Sequence, residues 1–292
     1  MIVNFRKVID RIDSLPTLSP VANQIAAMVN DPNSDAKKIA AVLRNDPALT
    51  AKVLKLVNSP YYAIPGGVSD VSTAISFLGF NTLYQLVLSV SVLSVLSSKQ
   101  EGELSPFELW KYSVGCATMG ELLAEHVMYP ETSICFTAGL LHDIGKIALL
   151  RVAPKKFQEA VNLAREEGIP LNKAALDTGL PNHQTVGSRL AEKWRFPMPL
   201  RIAINYQRYL ADTSRATLAR NMGIFVDITA MADIMVRRYK FGDPGDDVLP
   251  EVDDALMERM RIKEEDFDVF EEKMHEATQR SKIVLELAGE TS

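Results

Sequence analysis

Apolar residues recur every three or four positions along most of this chain, which is the spacing of one face of an α-helix. Val21, Ile25 and Val29 follow this spacing near the start, and Val186 and Leu190 follow it later. The sequence contains no pair of alternating strand-like runs, no internal repeat and no low-complexity segment. The pattern therefore predicts an all-α protein built from many helices.

Capping residues indicate where several of these helices begin and end. Asp46 and Ser105 each precede a proline, so each can cap a helix whose first position tolerates the missing proline N–H. Glu108 follows Ser105 at the spacing of a capping box. Gly168 is predicted to end the amphipathic helix that starts at Pro154.

Polar and turn-forming segments divide the chain into three parts. Residues 97–102 are polar and predict a linker, and residues 242–245, Gly-Asp-Pro-Gly, predict a loop. We therefore predict an N-terminal helical half at residues 1–103, a helical core at residues 104–241 and a C-terminal helical extension at residues 242–292.

Composition narrows the classes of partner. The 292 residues are 47% hydrophobic and 24% charged, which is ordinary for a globular protein with a buried core. A net charge of −5 provides no basic field for a phosphate backbone, so we expect no nucleic-acid partner.

Cys116 and Cys135 form no CxxC pattern and predict buried thiols in a reducing compartment. The start of the chain lacks a secretory pattern, and the apolar stretch Leu83–Leu96 is too short to span a bilayer, so we expect a cytoplasmic location and no membrane.

One segment carries candidate chemistry. His142 and Asp143 are adjacent, follow an apolar run and precede Gly145 and Lys146. An imidazole nitrogen and a carboxylate oxygen can bind one divalent ion, and such mixed sites suit Zn, Fe, Mn or Mg. Lys146 lies one helical turn beyond His142, where it could contact an anionic phosphate. The alternative is that Asp143 merely caps the helix that follows.

Several spaced motifs resemble a known family. Residues 139–146, Gly-Leu-Leu-His-Asp-Ile-Gly-Lys, resemble the signature of the HD superfamily of metal-dependent phosphohydrolases. Residues 46–49, residues 57–62 and the Leu78-Gly79 pair are similar to the N-terminal half of the HDOD family, the HD-related output domains. The resemblance covers roughly residues 15–210. It implies a helical bundle like that of the HD superfamily, in a bacterial signalling protein.

The resemblance implies further metal ligands, and not all of them are present. The family's early histidine corresponds to Tyr112, whose neutral phenol is a poor ligand, and the exposed helix end at His126 is too distant to replace it. Cys116, one turn after Tyr112, is predicted to be a structural thiol. Asp233 resembles the late aspartate of the family, although an ion pair with Arg237 four residues on explains it equally well.

The ligands of a second metal are largely missing. His183 lies where two-metal relatives carry a third histidine, although it could simply hydrogen-bond locally at a helix start. Asn205 and Tyr206 occupy the positions of a paired histidine, and the Gly-Tyr-Pro motif of cyclic di-GMP phosphodiesterases is absent. A two-metal clamp cannot be assembled from these residues. The expected cofactor is therefore none, or a single divalent ion.

Three hypotheses remain. The first is a regulatory HDOD module with a degenerate, non-catalytic pocket, which binds another signalling protein or a small ligand. The second is a one-metal phosphohydrolase acting on a nucleotide or phosphoester, in which His142, Asp143 and Asp233 hold the ion. The third is a nucleotide sensor without turnover that uses Lys146 and Arg151 as anion contacts.

Overall fold

Helices form all the regular secondary structure in the described part of the chain. The computed structural model describes residues 2–29, 31, 33–96, 104–206, 218, 220–280 and 282–290. The helices in chain order are α1 (Ile2–Ser14), α2 (Pro20–Val29), α3 (Ala36–Leu43), α4 (Pro47–Val57), α5 (Val71–Leu96), α6 (Pro106–His126), α7 (Thr132–Leu141), α8 (Ile144–Val152), α9 (Pro154–Glu167), α10 (Leu171–Asp177), α11 (His183–Lys193), α12 (Met198–Tyr206), α13 (Arg220–Arg238), α14 (Asp254–Met260), α15 (Asp266–Arg280) and α16 (Lys282–Glu290). The all-α prediction is confirmed.

The predicted caps form as polar contacts at helix ends. The Asp46 carboxylate accepts a hydrogen bond from the Leu49 N–H at 3.0 Å, and the Ser105 hydroxyl accepts one from the Phe107 N–H at 3.1 Å. Gly168 ends α9 in the left-handed region at φ 62°. The carboxylate of Glu108 lies 3.6 Å from the Lys111 ammonium, which gives it an ion-pair partner on its own helix.

Two helix boundaries differ from the sequence prediction. The sequence of residues 131–143 predicts a single helix that bears His142 and Asp143, but α7 ends at Leu141 and α8 begins at Ile144. Asp143, at φ −107° and ψ 24°, breaks the helical geometry, so the His-Asp pair lies at a junction. At Gly79 (φ 78°, ψ 170°) the chain kinks inside α5. The predicted linker at residues 97–102 lies outside the described residues. So do residues 212–214, whose polar side chains predict a further break between helices.

The helices fall into two compact units, Met1–Leu15 with Ser98–His275, and Pro16–Ser97 with Glu276–Ser292. In the first unit α6 packs closely against α7 and α13, while α8 packs against α1, α9 and α11. In the second unit α2, α3, α4 and α16 surround α5. In the first unit α1 packs against α8 and α11, and residues 242–275 belong to the same unit. The predicted division at residues 103 and 241 stays a prediction.

Two apolar helical stretches of the described chain are long enough to cross a membrane, Val71–Leu96 and Thr132–Val152. Of the most apolar window in each, 61% and 94% is buried within the protein. The helices in the core of a globular protein can have the same length and composition, so these two stretches are only weak evidence of a membrane span.

Candidate metal centre

The junction between α7 and α8 places His142 in a defined tautomer. Its Nδ1 lies 2.6 Å from the carbonyl oxygen of Gly139. A carbonyl oxygen only accepts, so Nδ1 carries the proton and Nε2 of the neutral ring carries the lone pair. That Nε2 lies 3.5 Å from Oδ2 of Asp143 and 3.7 Å from Oδ1 of Asp233. A histidine held in this way is prepared to bind a cation through Nε2.

A glycine contact brings a second histidine to the site. A β-carbon added at Gly145 would overlap the backbone carbonyl of His183, so only glycine lets α8 approach α11 this closely. His183 is consequently buried, with its Nε2 3.4 Å from Oδ1 of Asp143. The structure therefore places both histidines of the sequence prediction beside one carboxylate.

Lys146 is part of the same cluster. Its ammonium lies 2.5 Å from Oδ2 of Asp143 and donates a hydrogen bond to the carbonyl of Pro244 at 2.9 Å. The side chain is fully buried. The ammonium of Lys146 is thus the counter-ion of Asp143, and the phosphate contact predicted for Lys146 stays a prediction.

Asp233 also has a cation of the protein beside it. The Arg237 guanidinium donates from Nε to Oδ1 of Asp233 at 3.0 Å and from Nη1 to Oδ1 of Asp246 at 2.8 Å. The predicted ion pair of Asp233 with Arg237 is present, and Asp233 also faces His142; its role as a metal ligand stays a prediction. Asp246 and Pro244 lie in the loop between α13 and α14. The glycines and proline of residues 242–245 predict that loop, but no pattern in the sequence indicates its contacts with the site.

Burial and neighbouring charges shift the pKa values of Asp143 and Asp233 in opposite directions. Burial alone would raise the pKa of Asp143, but Lys146, His142 and His183 hold that pKa well below its usual range. Burial raises the pKa of Asp233 above its usual value, and the Asp246 carboxylate adds to the rise while Arg237 opposes it. Asp143 is thus the member of the pair with the lower pKa.

Tyr112 and Cys116 line the side of the site formed by α6. The Tyr112 ring is fully buried with its centroid 5.7 Å from that of His142, and its hydroxyl forms no hydrogen bond with a described residue. Cys116, predicted to be a structural thiol, is buried, and it could donate a sulfur ligand together with His142 and Asp233. Their ligand atoms lie within 4.8 Å of one another.

The remaining candidate positions are more exposed than the cluster residues. Asn205 is exposed, and its side-chain oxygen accepts a hydrogen bond from Ser188. Tyr206 is partly exposed at the end of α12. His126 lies at the exposed end of α6, with Nε2 2.9 Å from the carbonyl oxygen of Arg261. None of the three positions is buried like the cluster residues.

The distances between the possible ligand atoms suit one divalent ion, but positively charged side chains lie beside the carboxylates that would bind it. Donor separations of 3.5 and 3.7 Å around His142 match the roughly 3.3–3.8 Å between ligands of a tetrahedral ion. His142, Asp233 and either Cys116 or Asp143 are the residues that would hold it. The carboxylates, however, already lie beside Lys146 and Arg237.

Comparison with known proteins identifies the family. The sequence profile described as HDOD domain matches residues 15–210. A crystal structure of an HDOD domain protein of unknown function from Geobacter sulfurreducens has a TM-score of 0.72 at 26% identity, covering 98% of this chain and 96% of that one. A candidate phosphohydrolase from Shewanella amazonensis shares the fold, with a TM-score of 0.69 at 21% identity over 98% of each chain.

Two curated proteins are also similar to this chain. An uncharacterized protein from Treponema pallidum is 28% identical over 207 residues, which is 69% of this chain and 39% of that protein. The cyclic di-GMP phosphodiesterase CdgJ of Vibrio cholerae is 29% identical over 154 residues, which is 52% of this chain and 34% of that protein. The chain thus spans well under half the length of these relatives. With its profile match, its helical fold and its His-Asp junction, the chain belongs to the HDOD domain family.

Proposed function

We propose that this chain is a regulatory module of bacterial signal transduction that does not hydrolyse phosphoesters and acts by binding another protein or a small ligand. The observation that carries the proposal is that the HD-type pocket already contains cations of the protein itself. Lys146 lies 2.5 Å from Asp143, and Arg237 lies 3.0 Å from Asp233. These two carboxylates are the ones that a catalytic ion would need.

Electrostatic repulsion opposes an added ion at this position. Two unit charges 4 Å apart interact with about 4 kcal/mol at an effective dielectric constant of about 20. A divalent ion between His142 and Asp233 would lie close to both Lys146 and Arg237, and each repels it. The two cations therefore stabilise the buried carboxylates in place of a metal ion.

Access to the pocket is also restricted. The side chains that form the cluster are at most 6% exposed, namely His142, Asp143, Lys146, His183, Asp233 and Arg237. The loop at residues 242–248 covers the cluster, because Pro244 accepts a hydrogen bond from Lys146 and Asp246 pairs with Arg237. A phosphoester in solution has no exposed side chain of the cluster to contact.

Metal content and hydrolysis together test this proposal. The protein is purified without chelator, and Fe, Mn and Zn are measured by plasma emission for wild type, His142→Ala and the control His126→Ala, which removes an exposed imidazole outside the cluster. We expect much less than one metal per chain in all three proteins and no hydrolysis of bis(p-nitrophenyl) phosphate or cyclic di-GMP with added Mn²⁺ or Fe²⁺. About one metal per chain that is lost only in His142→Ala, together with turnover, would refute the proposal.

A one-metal phosphohydrolase is the second candidate, and a specific observation favours it. Cys116, His142 and Asp233 offer three ligand atoms within 4.8 Å, and the His142 tautomer directs a lone pair towards them. A bound ion would supply a water molecule of lowered pKa. The similarity to CdgJ makes a cyclic dinucleotide a suitable first substrate for the hydrolysis assay.

A further inference from the structure

A second cavity lies away from the His-Asp cluster, where the first turn of α9 meets α1. It has a volume of about 350 Å³. The residues that line it are Lys7, Val8, Arg11, Ala153, Pro154, Lys155, Lys156, Gly179 and Leu180. Four of them are basic, and among the residues that the structure describes none that lines the cavity is acidic. This local excess of positive charge contrasts with the net charge of −5 of the whole chain.

Two of the four basic side chains have a partner within the protein, and two have none among the described residues. Arg11 is held in place by a hydrogen bond of 2.9 Å from Nη1 to the carbonyl of Val152, which leaves its other N–H donors for a ligand. Lys156 is paired with Glu159 at 2.7 Å. Lys7 and Lys155 are exposed, and neither forms an ion pair or hydrogen bond within the described parts of the chain. Two cations therefore remain to meet an anion.

The first turn of α9 adds backbone donors to these charges. Ala153 occupies the N-cap position and provides no side-chain hydrogen bond, and Pro154 follows it. The N–H groups at the start of a helix carry no intrahelical partner and attract anions, phosphate in particular. Ala153, Pro154 and the two lysines after them all line the cavity, so the positive end of the helix faces it.

The floor of the cavity is apolar. Val8, Ala153 and Leu180 are 7%, 8% and 1% exposed, and they line the cavity below the basic rim. Ligand sites in proteins generally combine an apolar lining with a few polar groups that orient the ligand. A volume of about 350 Å³ lies near the lower end of the range of such sites, about 300–1,000 Å³.

We propose that this cavity binds a phosphorylated small molecule, with the phosphate between Lys7, Arg11, Lys155 and the start of α9, and an apolar or planar body on the floor formed by Val8, Ala153 and Leu180. The volume of about 350 Å³ favours a ligand of about mononucleotide size over a protein chain. The site is separate from the HD-type pocket and does not depend on whether that pocket holds a metal.

Calorimetric titration of the full chain tests the site with three probes: inorganic phosphate, phenyl phosphate and GMP. Benzyl alcohol serves as an uncharged control. We expect phenyl phosphate or GMP to bind more tightly than inorganic phosphate because of the apolar floor, and benzyl alcohol not to bind. Binding should weaken with added salt because exposed charges are screened.

Matched variants show where the probes bind. Lys7→Ala/Lys155→Ala removes two exposed, unpaired cations and should weaken binding by about tenfold or more, which corresponds to about 1.4 kcal/mol. Lys173→Ala/Lys240→Ala removes the same charge from exposed positions outside the cavity and should leave affinity within about twofold of wild type. Thermal unfolding confirms that both double variants are folded.

Three outcomes would overturn the proposal. The first is the absence of saturable binding of every charged probe. The second is equal weakening by both double variants, which would show a general charge effect. The third is binding that Lys7→Ala/Lys155→Ala leaves unchanged and His142→Ala abolishes, which would place the ligand in the HD-type pocket. This last result would also leave the cavity at α9 without a ligand.

Discussion

Lys146 places its ammonium nitrogen 2.5 Å from the Oδ2 oxygen of Asp143, and both side chains are buried. The two residues lie three positions apart in the segment His-Asp-Ile-Gly-Lys, so the motif contains its own counter-ion. His142, at the junction of α7 and α8, and His183, at the start of α11, approach the same carboxylate. Asp143 is therefore the electrostatic centre of the pocket, and the stability of the unit depends on the cation beside it.

Removing Lys146 should leave a buried charge with too little compensation. We expect Lys146→Met to lower the free energy of unfolding by about 3–5 kcal/mol, because the Asp143 carboxylate loses its closest cation without regaining water. Urea unfolding followed by circular dichroism measures the change. The control Lys111→Met removes a half-exposed pair with Glu108 and should cost about 0–1 kcal/mol.

A companion variant separates charge from packing in this prediction. Lys146→Met/Asp143→Asn removes both charges and should recover part of the lost stability, since a buried pair can be replaced more cheaply than it can be broken. If Lys146→Met costs no more than Lys111→Met, the ion pair does not contribute as its geometry implies.

The same substitution should change metal affinity. If Lys146 occupies the position of a cation, Lys146→Met removes a repulsive charge beside His142 and Asp143 and should bind Mn²⁺ more tightly than wild type, by about tenfold or more. Stabilisation against heat by added Mn²⁺ measures the difference. Lys111→Met is again the control. Tighter Mn²⁺ binding by wild type than by Lys146→Met would show that Lys146 supports the metal rather than replacing it.

The Tyr112 hydroxyl tests whether a buried polar group of this pocket lacks a hydrogen-bond partner. It is fully buried and forms no hydrogen bond with a described residue. Tyr112→Phe should therefore leave stability within about 1 kcal/mol of wild type or raise it. Tyr239→Phe is the matched variant, because the Tyr239 hydroxyl donates to the carbonyl of Phe267 at 2.6 Å. It should cost about 0.5–1.5 kcal/mol. A larger loss for Tyr112→Phe than for Tyr239→Phe would contradict the contacts described here.

The sequence predicts the helices well because their signals are local. Apolar spacing, the cap at Asp46 and the left-handed glycine at Gly168 each depend on a few neighbouring residues. The motif contains His142 and Asp143, the family resemblance adds His183 and Asp233, and the structure brings all four together.

The ion pairs of the pocket cannot be predicted from neighbouring residues in the sequence. Lys146 and Arg237 could equally meet solvent, a phosphate or a carboxylate, and the choice depends on residues distant in sequence. Asp246 and the Pro244 carbonyl, which fix the two cations, come from a loop about a hundred positions after the motif. Cys116 is similar, because only the packing of α6 on α7 brings its sulfur near His142.

The burial of Glu121 should make the free energy of unfolding depend on pH. Burial, with a smaller contribution from Glu125, raises its pKa from 4.5 to about 7. A raised carboxyl pKa means that the folded state binds the proton more tightly, so stability falls as pH rises from about 4.5 to about 7. Because Glu121 is only half-buried, we expect Glu121→Gln to be more stable than wild type by about 1–2 kcal/mol near pH 8 and equal to it near pH 4.5.

Urea unfolding at the two pH values measures this difference. Glu166→Gln is the control, because it removes an exposed carboxylate of the same unit and should change stability little at either pH. A constant difference between Glu121→Gln and wild type across the whole range would show that the substitution acts through packing and not through protonation.

A substitution at Gly145 tests the close packing of α8 and α11 that brings His183 to Asp143. A β-carbon at this position would overlap the His183 carbonyl, so Gly145→Ala must push α8 and α11 apart and should cost about 1–3 kcal/mol or more. Gly223→Ala is the matched control, since Gly223 also lies within a helix, α13, but has open space around its Cα. There the alanine should stabilise the helix by about 0.5–1 kcal/mol. Separation of the helices should also move the His183 imidazole away from Asp143, which NMR titration of the histidine would detect as a change in its chemical shift. Equal stability of the two variants would show that α8 and α11 do not approach as closely as described.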